Sequence, residues 1–82
     1  MSFVNELADK LAEDTFKAMK ELGDDRFYME VAKELAASST TLEEAFLTEM
    51  RVRLSEATAR RFLNAKLAEA RGGPKAVSPA EE

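Results

Sequence analysis

An all-α fold is what this 82-residue sequence predicts, with three main helices of which the third is the longest. Three observations carry that expectation. Apolar side chains recur at three- and four-residue spacing through most of the chain. Between Gly23 and Gly72 neither glycine nor proline interrupts the pattern. Helix starts are marked by hydroxyl residues followed three places on by Glu, as at Thr40 and Thr41. The expected architecture is a small three-helix bundle with a long third helix, dimeric, and spanning residues 1–71 as one domain. A break near Ser55–Thr58 would make it four helices. Residues 72–82, with two glycines and two prolines, read as a helix stop and a flexible C-terminal tail.

The first helix runs from Phe3 to Leu22 behind Ser2, whose hydroxyl can accept from a free first-turn N–H. Val4, Leu7, Ala8, Leu11, Ala18, Met19 and Leu22 share a face with Thr15, at about 100° per residue. Phe16 falls on the edge of that face. Glu6–Lys10 and Glu13–Lys17 are favourably oriented pairs across one turn, and Gly23 suits a left-handed helix end.

Asp24 or Asp25 is expected to cap a second helix from Arg26 to about Ala37, with Tyr28, Val31, Ala32, Leu35 and Ala36 inward. Phe27-Tyr28-Met29 places three large apolar residues in a row, more than one face can hide.

The third helix starts near Leu42, with capping boxes at Thr40-x-x-Glu43 and Thr41-x-x-Glu44. Up to thirty residues of helix would span ~45 Å, against ~30 Å for the first. Phe46, Leu47, Met50, Leu54 and Ala57 form one stripe. Past Ala57 that stripe turns polar at Arg61 and Asn64. Ala59, Phe62, Leu63, Leu67 and Ala70 lie on roughly the other side. Either the helix breaks, with Ser55 as a new cap, or it runs on and its second half faces another chain. The continuous helix is the favoured expectation. Its length then leaves Phe62, Leu63 and Leu67 without cover from their own chain, which marks an interface.

Composition excludes much chemistry. The chain has no Cys and no His, which removes disulfides, thiol nucleophiles, the usual neutral-pH general base and most transition-metal sites. Its three glycines form no phosphate loop. The acidic pairs Glu13-Asp14, Asp24-Asp25 and Glu43-Glu44 fit solvated helix faces and helix starts, where negative charge meets the positive dipole end. Acidity and size are similar to those of acyl carrier proteins, but no Asp-Ser-Leu occurs. No catalytic, cofactor-binding or metal-binding residue is therefore assigned, and no enzyme activity is expected. No apolar run reaches membrane-span length and no signal-peptide pattern is present, so cytoplasmic location is the default expectation.

Net charge is −4, unevenly distributed. Residues 1–50 carry twelve acidic and five basic side chains. Residues 51–71 reverse this, with Arg51, Arg53, Arg60, Arg61, Lys66 and Arg71 against Glu56 and Glu69.

The stretch Val31 to Phe46, VAKELAASSTTLEEAF, resembles the helix-turn-helix of bacterial repressors, particularly the lactose-repressor type. Val31-Ala32 matches the apolar-Ala pair of the first motif helix, and Ala36-Ala37-Ser38 stands at the Gly-apolar-Ser turn. Thr41-Leu42 and Ala45-Phe46 match the inward positions of the recognition helix. The resemblance implies DNA binding, with Ser39, Thr40 and Glu43 facing bases; separately, Arg53, Arg60, Arg61 and Arg71, with Asn64, share one side of the long helix and make a second nucleic-acid candidate. Three departures accompany the resemblance. Ala36 stands where Gly is favoured, Glu43, Glu44 and Glu49 occupy a surface that would face phosphates, and the helix runs far past the compact motif.

The function expected first is a small non-enzymatic interaction protein: an adaptor, inhibitor or regulatory subunit. Its partner would be another protein or a second copy, met through Phe62, Leu63 and Leu67 flanked by Arg60, Arg61 and Lys66. A DNA-binding regulator is the alternative, with nucleic acid the less expected partner on charge grounds.

Overall fold

The computed structural model describes residues Ser2–Gly72, and these are all-helical: α1 Phe3–Leu22, α2 Phe27–Ala36 and α3 Thr40–Ala70. All but the first residue of the expected tail lies outside the described residues. No helix among the described residues is long and apolar enough to cross a membrane.

Helix α1 starts where the sequence places it. The Ser2 hydroxyl accepts from the Asn5 N–H at 3.0 Å, satisfying one of the orphan donors of the first turn. It ends at Gly23, whose φ of 65° is left-handed. That turn lets the Asp24 N–H donate to the Met19 carbonyl at 3.1 Å. Lys10 pairs with Asp14 at 3.0 Å rather than with Glu6, while Lys17 and Glu13 pair at 3.5 Å as expected.

The connection to α2 corrects one expectation. Neither Asp caps the helix; Arg26 is its first boundary residue and has no side-chain cap. Asp24 turns the loop, its Oδ1 accepting from the Arg26 N–H at 3.0 Å. At the far end, the Ser38 and Ser39 N–H groups both donate to the Leu35 carbonyl, at 3.0 and 2.7 Å. No residue other than glycine among those described has a positive φ, so Ala36 and Ala37 make this turn without strain.

Helix α3 is capped one residue earlier than the sequence suggests. Ser39 Oγ accepts from the Leu42 N–H at 3.1 Å, and the helix then runs unbroken for 31 residues. The alternative of a break near Ser55–Thr58 is therefore not what forms. Neither glycine nor proline disrupts the i to i−4 ladder there, and Ser55 stays within the helix.

Packing is dominated by α1 against α3, with α2 closing one end. Ala8, Ala12, Met19, Ala32, Phe46 and Met50 are the buried apolar residues, joined by Thr15. Alanines on α1 and α2 let the backbones approach, so that Phe46 and Met50 can fill the space between them. Leu47 and Leu54 pack from the flanks, as do Phe27, Tyr28, Val31 and Leu35. Phe16 is half-buried, with the Lys20 ammonium 4.9 Å from its ring centroid. Leu7 and Leu22, expected inward, are exposed. Leu7 lies about 100° round the helix from Ala8, and Leu22 is the last helical residue before the chain turns away.

Two outcomes follow from this core. Phe46→Ala empties a fully buried site and should cost ~3–5 kcal/mol, most of a small domain's stability. Circular dichroism through urea denaturation would measure it. Gly23→Ala meets no neighbouring atom, so its cost of ~1–2 kcal/mol is backbone strain alone and appears as a lower unfolding midpoint with unchanged helicity.

Candidate interaction surface

The relative lengths of α1 and α3 create the surface. Near the end of α1, Met19 joins the cluster containing Phe46, whereas the earlier Asp9 meets Arg53. The two helices are therefore antiparallel. At 1.5 Å per residue, Phe3 comes level with about Ala59. Beyond that point no other described residue runs beside α3 for about 16 Å, and the described residues extend 54 Å.

Phe62, Leu63 and Leu67 stand on this overhang with 66%, 48% and 39% of their surface exposed. Arg61 and Asn64, which continue the inward stripe, are also exposed because α1 has ended. The stripe turns polar where there is no longer a helix to meet it. Lys66 leans back, its ammonium 5.9 Å from the Phe62 ring centroid and 3.7 Å from Glu69. Arg60 is held by Glu56 at 2.6 Å, and Arg61 donates to the Thr58 hydroxyl at 3.4 Å. These three cations frame the apolar residues without covering them.

Val52, 61% exposed, was not among the residues expected to contribute. It falls with Ala59, Leu63 and Ala70 inside a band about 40° wide at 100° per residue. That band lies about 140° from the Phe46–Met50 face. The outward strip thus begins upstream of the overhang, on the back of the segment that forms the core. The signal is present in the sequence, but Val52 precedes the polar switch at Arg61, which separates it from the later residues of the strip. On an adjacent side, Leu54, Ser55, Thr58, Ala59 and Phe62 line a shallow, open, mostly apolar concavity.

The candidate nucleic-acid residues are placed differently. Ser39 uses its hydroxyl as the cap of α3 and Glu43 is half-buried, whereas Thr40 is exposed. Arg53 turns inward. Its guanidinium donates to Glu49 Oε1 at 2.8 Å and to the Asp9 carboxylate, tying α1 to α3. The hydrogen bond to Glu49 raises the Arg53 pKa above its ordinary value; burial opposes this and the contacts with Asp9 add to it. Arg53 therefore does not extend the basic face of Arg60 and Arg61. No group of acidic residues placed to hold a metal ion occurs among the described residues.

Compared with known protein families, curated proteins and solved structures, the chain has no match.

Replacing Arg53 by Met keeps its apolar stem and removes both ties. The pair is partly solvent-screened, so the expected loss is about 1 kcal/mol, read from the urea midpoint. A raised cationic pKa stabilises fully below the unfolded value and is lost only as pH climbs through the folded one. The titration of Arg53 therefore leaves the difference between wild type and variant level from about pH 6 to 9.

Proposed function

We propose that this chain is a small non-enzymatic helical interaction module, an adaptor, inhibitor or regulatory subunit. It acts by presenting the strip Phe62, Leu63 and Leu67 to another protein or to a second copy of itself, in the latter case as a homodimer. The single observation that supports this most is the uncovered second half of α3, where large apolar residues stand in water on a helix made rigid by unbroken hydrogen bonding. Burying each of them on a partner is worth about 1.5–3 kcal/mol for full transfer from water. Contiguous apolar surface framed by charge is the usual form of a docking site. Arg60, Arg61 and Lys66 would favour a partner with acidic residues beside its own apolar surface and would speed encounter.

The balance of the fold supports the same reading. Among the described residues only Met19, Phe46 and Met50 are large buried apolar side chains, while Phe3, Leu7, Leu22, Met29, Val52, Phe62, Leu63 and Leu67 are exposed. A domain this small without disulfide or metal commonly gains stability by association.

Leu63→Asp combined with Leu67→Asp tests the reading. Both sites are exposed, so the helicity of the isolated chain should not change. Each carboxylate placed in a buried contact should weaken association by roughly 30-fold or more. The assay is light scattering on the purified chain together with quantitative recovery of crosslinked partners from the native cell. Equal scattering mass and equal partner recovery for wild type and double variant would remove the strip from consideration.

A further inference from the structure

The order of large and small residues along the outward strip argues for a particular occupant. Val52, Ala59, Leu63 and Ala70 are separated by seven, four and seven residues, a spacing that reads the same in both directions. Their sizes alternate large, small, large, small. Laid against itself antiparallel, the strip places each large residue on an alanine. Laid parallel, it places Val on Val, Leu on Leu and alanine on alanine, leaving voids beside collisions. We propose that the strip is covered by a second copy of this chain, with the two α3 helices antiparallel. Val52 then meets Ala70 of the partner subunit and Ala59 meets the partner's Leu63. This rests on the reading of α3 as an interaction surface and names the partner for it.

Charge along α3 points the same way. Glu43, Glu44 and Glu49 precede Met50 with no basic residue among them, while Arg51, Arg53, Arg60, Arg61, Lys66 and Arg71 follow against Glu56 and Glu69. Antiparallel pairing joins opposite charges near each end of the shared stretch, with Glu43 and Glu44 lying beyond the partner's Ala70, whereas parallel pairing sets like charge on like. In this register Arg51 falls two residues, about 3 Å, from level with the partner's Glu69, and Glu49 the same distance from level with the partner's Arg71, each pair on one flank of the helix pair. Arg60 comes near its own mate at the two-fold axis, and Glu56, already bonded to it at 2.6 Å, offsets the repulsion.

The fold leaves room for the second helix. The partner's α3 ends at Ala70 opposite Val52, short of the end of α3 that α2 covers. The strip from Val52 to Ala70 spans about 27 Å, which gives a helix pair several turns of contact. The axis also brings the partner's Phe62 beside the concavity formed by Ser55, Thr58 and Ala59.

The chain has no cysteine of its own, so introduced ones report cleanly. The full-length protein is first examined by sedimentation equilibrium, where a species of twice 9.1 kDa is expected. Val52→Cys, Ala70→Cys and the double variant are then oxidised mildly and run without reductant. Antiparallel pairing gives a covalent dimer from most of the double variant and only traces from either single one. Like positions would be about 27 Å apart, beyond the ~7 Å between Cα atoms that a disulfide tolerates. The same separation along one helix rules out an intrachain bond. Both sites are exposed, and unchanged circular dichroism confirms that each variant folds.

A covalent dimer from Val52→Cys alone would mean parallel pairing and overturn the proposal. A dimer by sedimentation that the double variant fails to link would overturn it as well. A monomeric wild type would overturn self-pairing. The wider reading of the strip would then be decided separately, by the partner recovery of the Leu63→Asp and Leu67→Asp protein.

Discussion

The governing constraint on this molecule is that α3 has apolar residues on two opposed sides and the other described helices cover only one of them. Phe46 and Met50 are enclosed by alanines and Met19 from the shorter helices. That uses the inward faces of both α1 and α2. Nothing within the described residues reaches the side carrying Val52, Leu63 and Ala70. Because α1 is 20 residues long and α3 31, no other described residue covers the far end of α3 on any side. The elongated shape, the small core and the exposed strip are consequences of this one mismatch.

The polar contacts reinforce that division. Arg53 sits at the boundary, late enough on α3 to reach Asp9 on α1 and early enough to remain partly enclosed. Its contact with Asp9 joins the two helices, while its contact with Glu49 stays within α3. The next arginines have no second helix to meet, so Arg60 pairs within its own helix and Arg61 reaches only Thr58. Basic charge is thereby left on the uncovered end while acidic charge concentrates on the body. A surface of this kind suits a partner that is apolar and acidic together.

Much of the fold was legible from local signals. The bounds of α1 follow from Ser2 and Gly23, each of which acts through its own backbone neighbours. The inward stripe of α3 and its loss beyond Ala57 follow from helical periodicity alone. The errors are local competitions that spacing does not resolve. Ser39, Thr40 and Thr41 can each cap a helix, and the Leu35 carbonyl decides the matter by drawing in the Ser38 and Ser39 N–H groups, so that the chain leaves α2 with Ser39 as cap. Lys10 had two carboxylates within a turn and took Asp14. Of the candidate surface, Phe62, Leu63 and Leu67 were readable as uncovered, whereas Val52 was not, because its exposure depends on which side of α3 faces α1.

By itself, then, the sequence determined the helical class, the two chain reversals and the presence of two apolar stripes on one helix. These depend on interactions within a few residues, namely caps, turns and the 3.6-residue repeat. The tertiary structure decided which stripe became core and where cover ran out. It also turned Arg53 from a surface charge into a tie between helices. Those outcomes depend on the relative lengths of helices far apart in sequence and on Asp9 meeting Arg53 across the packed pair. Periodicity cannot encode such a distance; only the docking of one helix on another sets it.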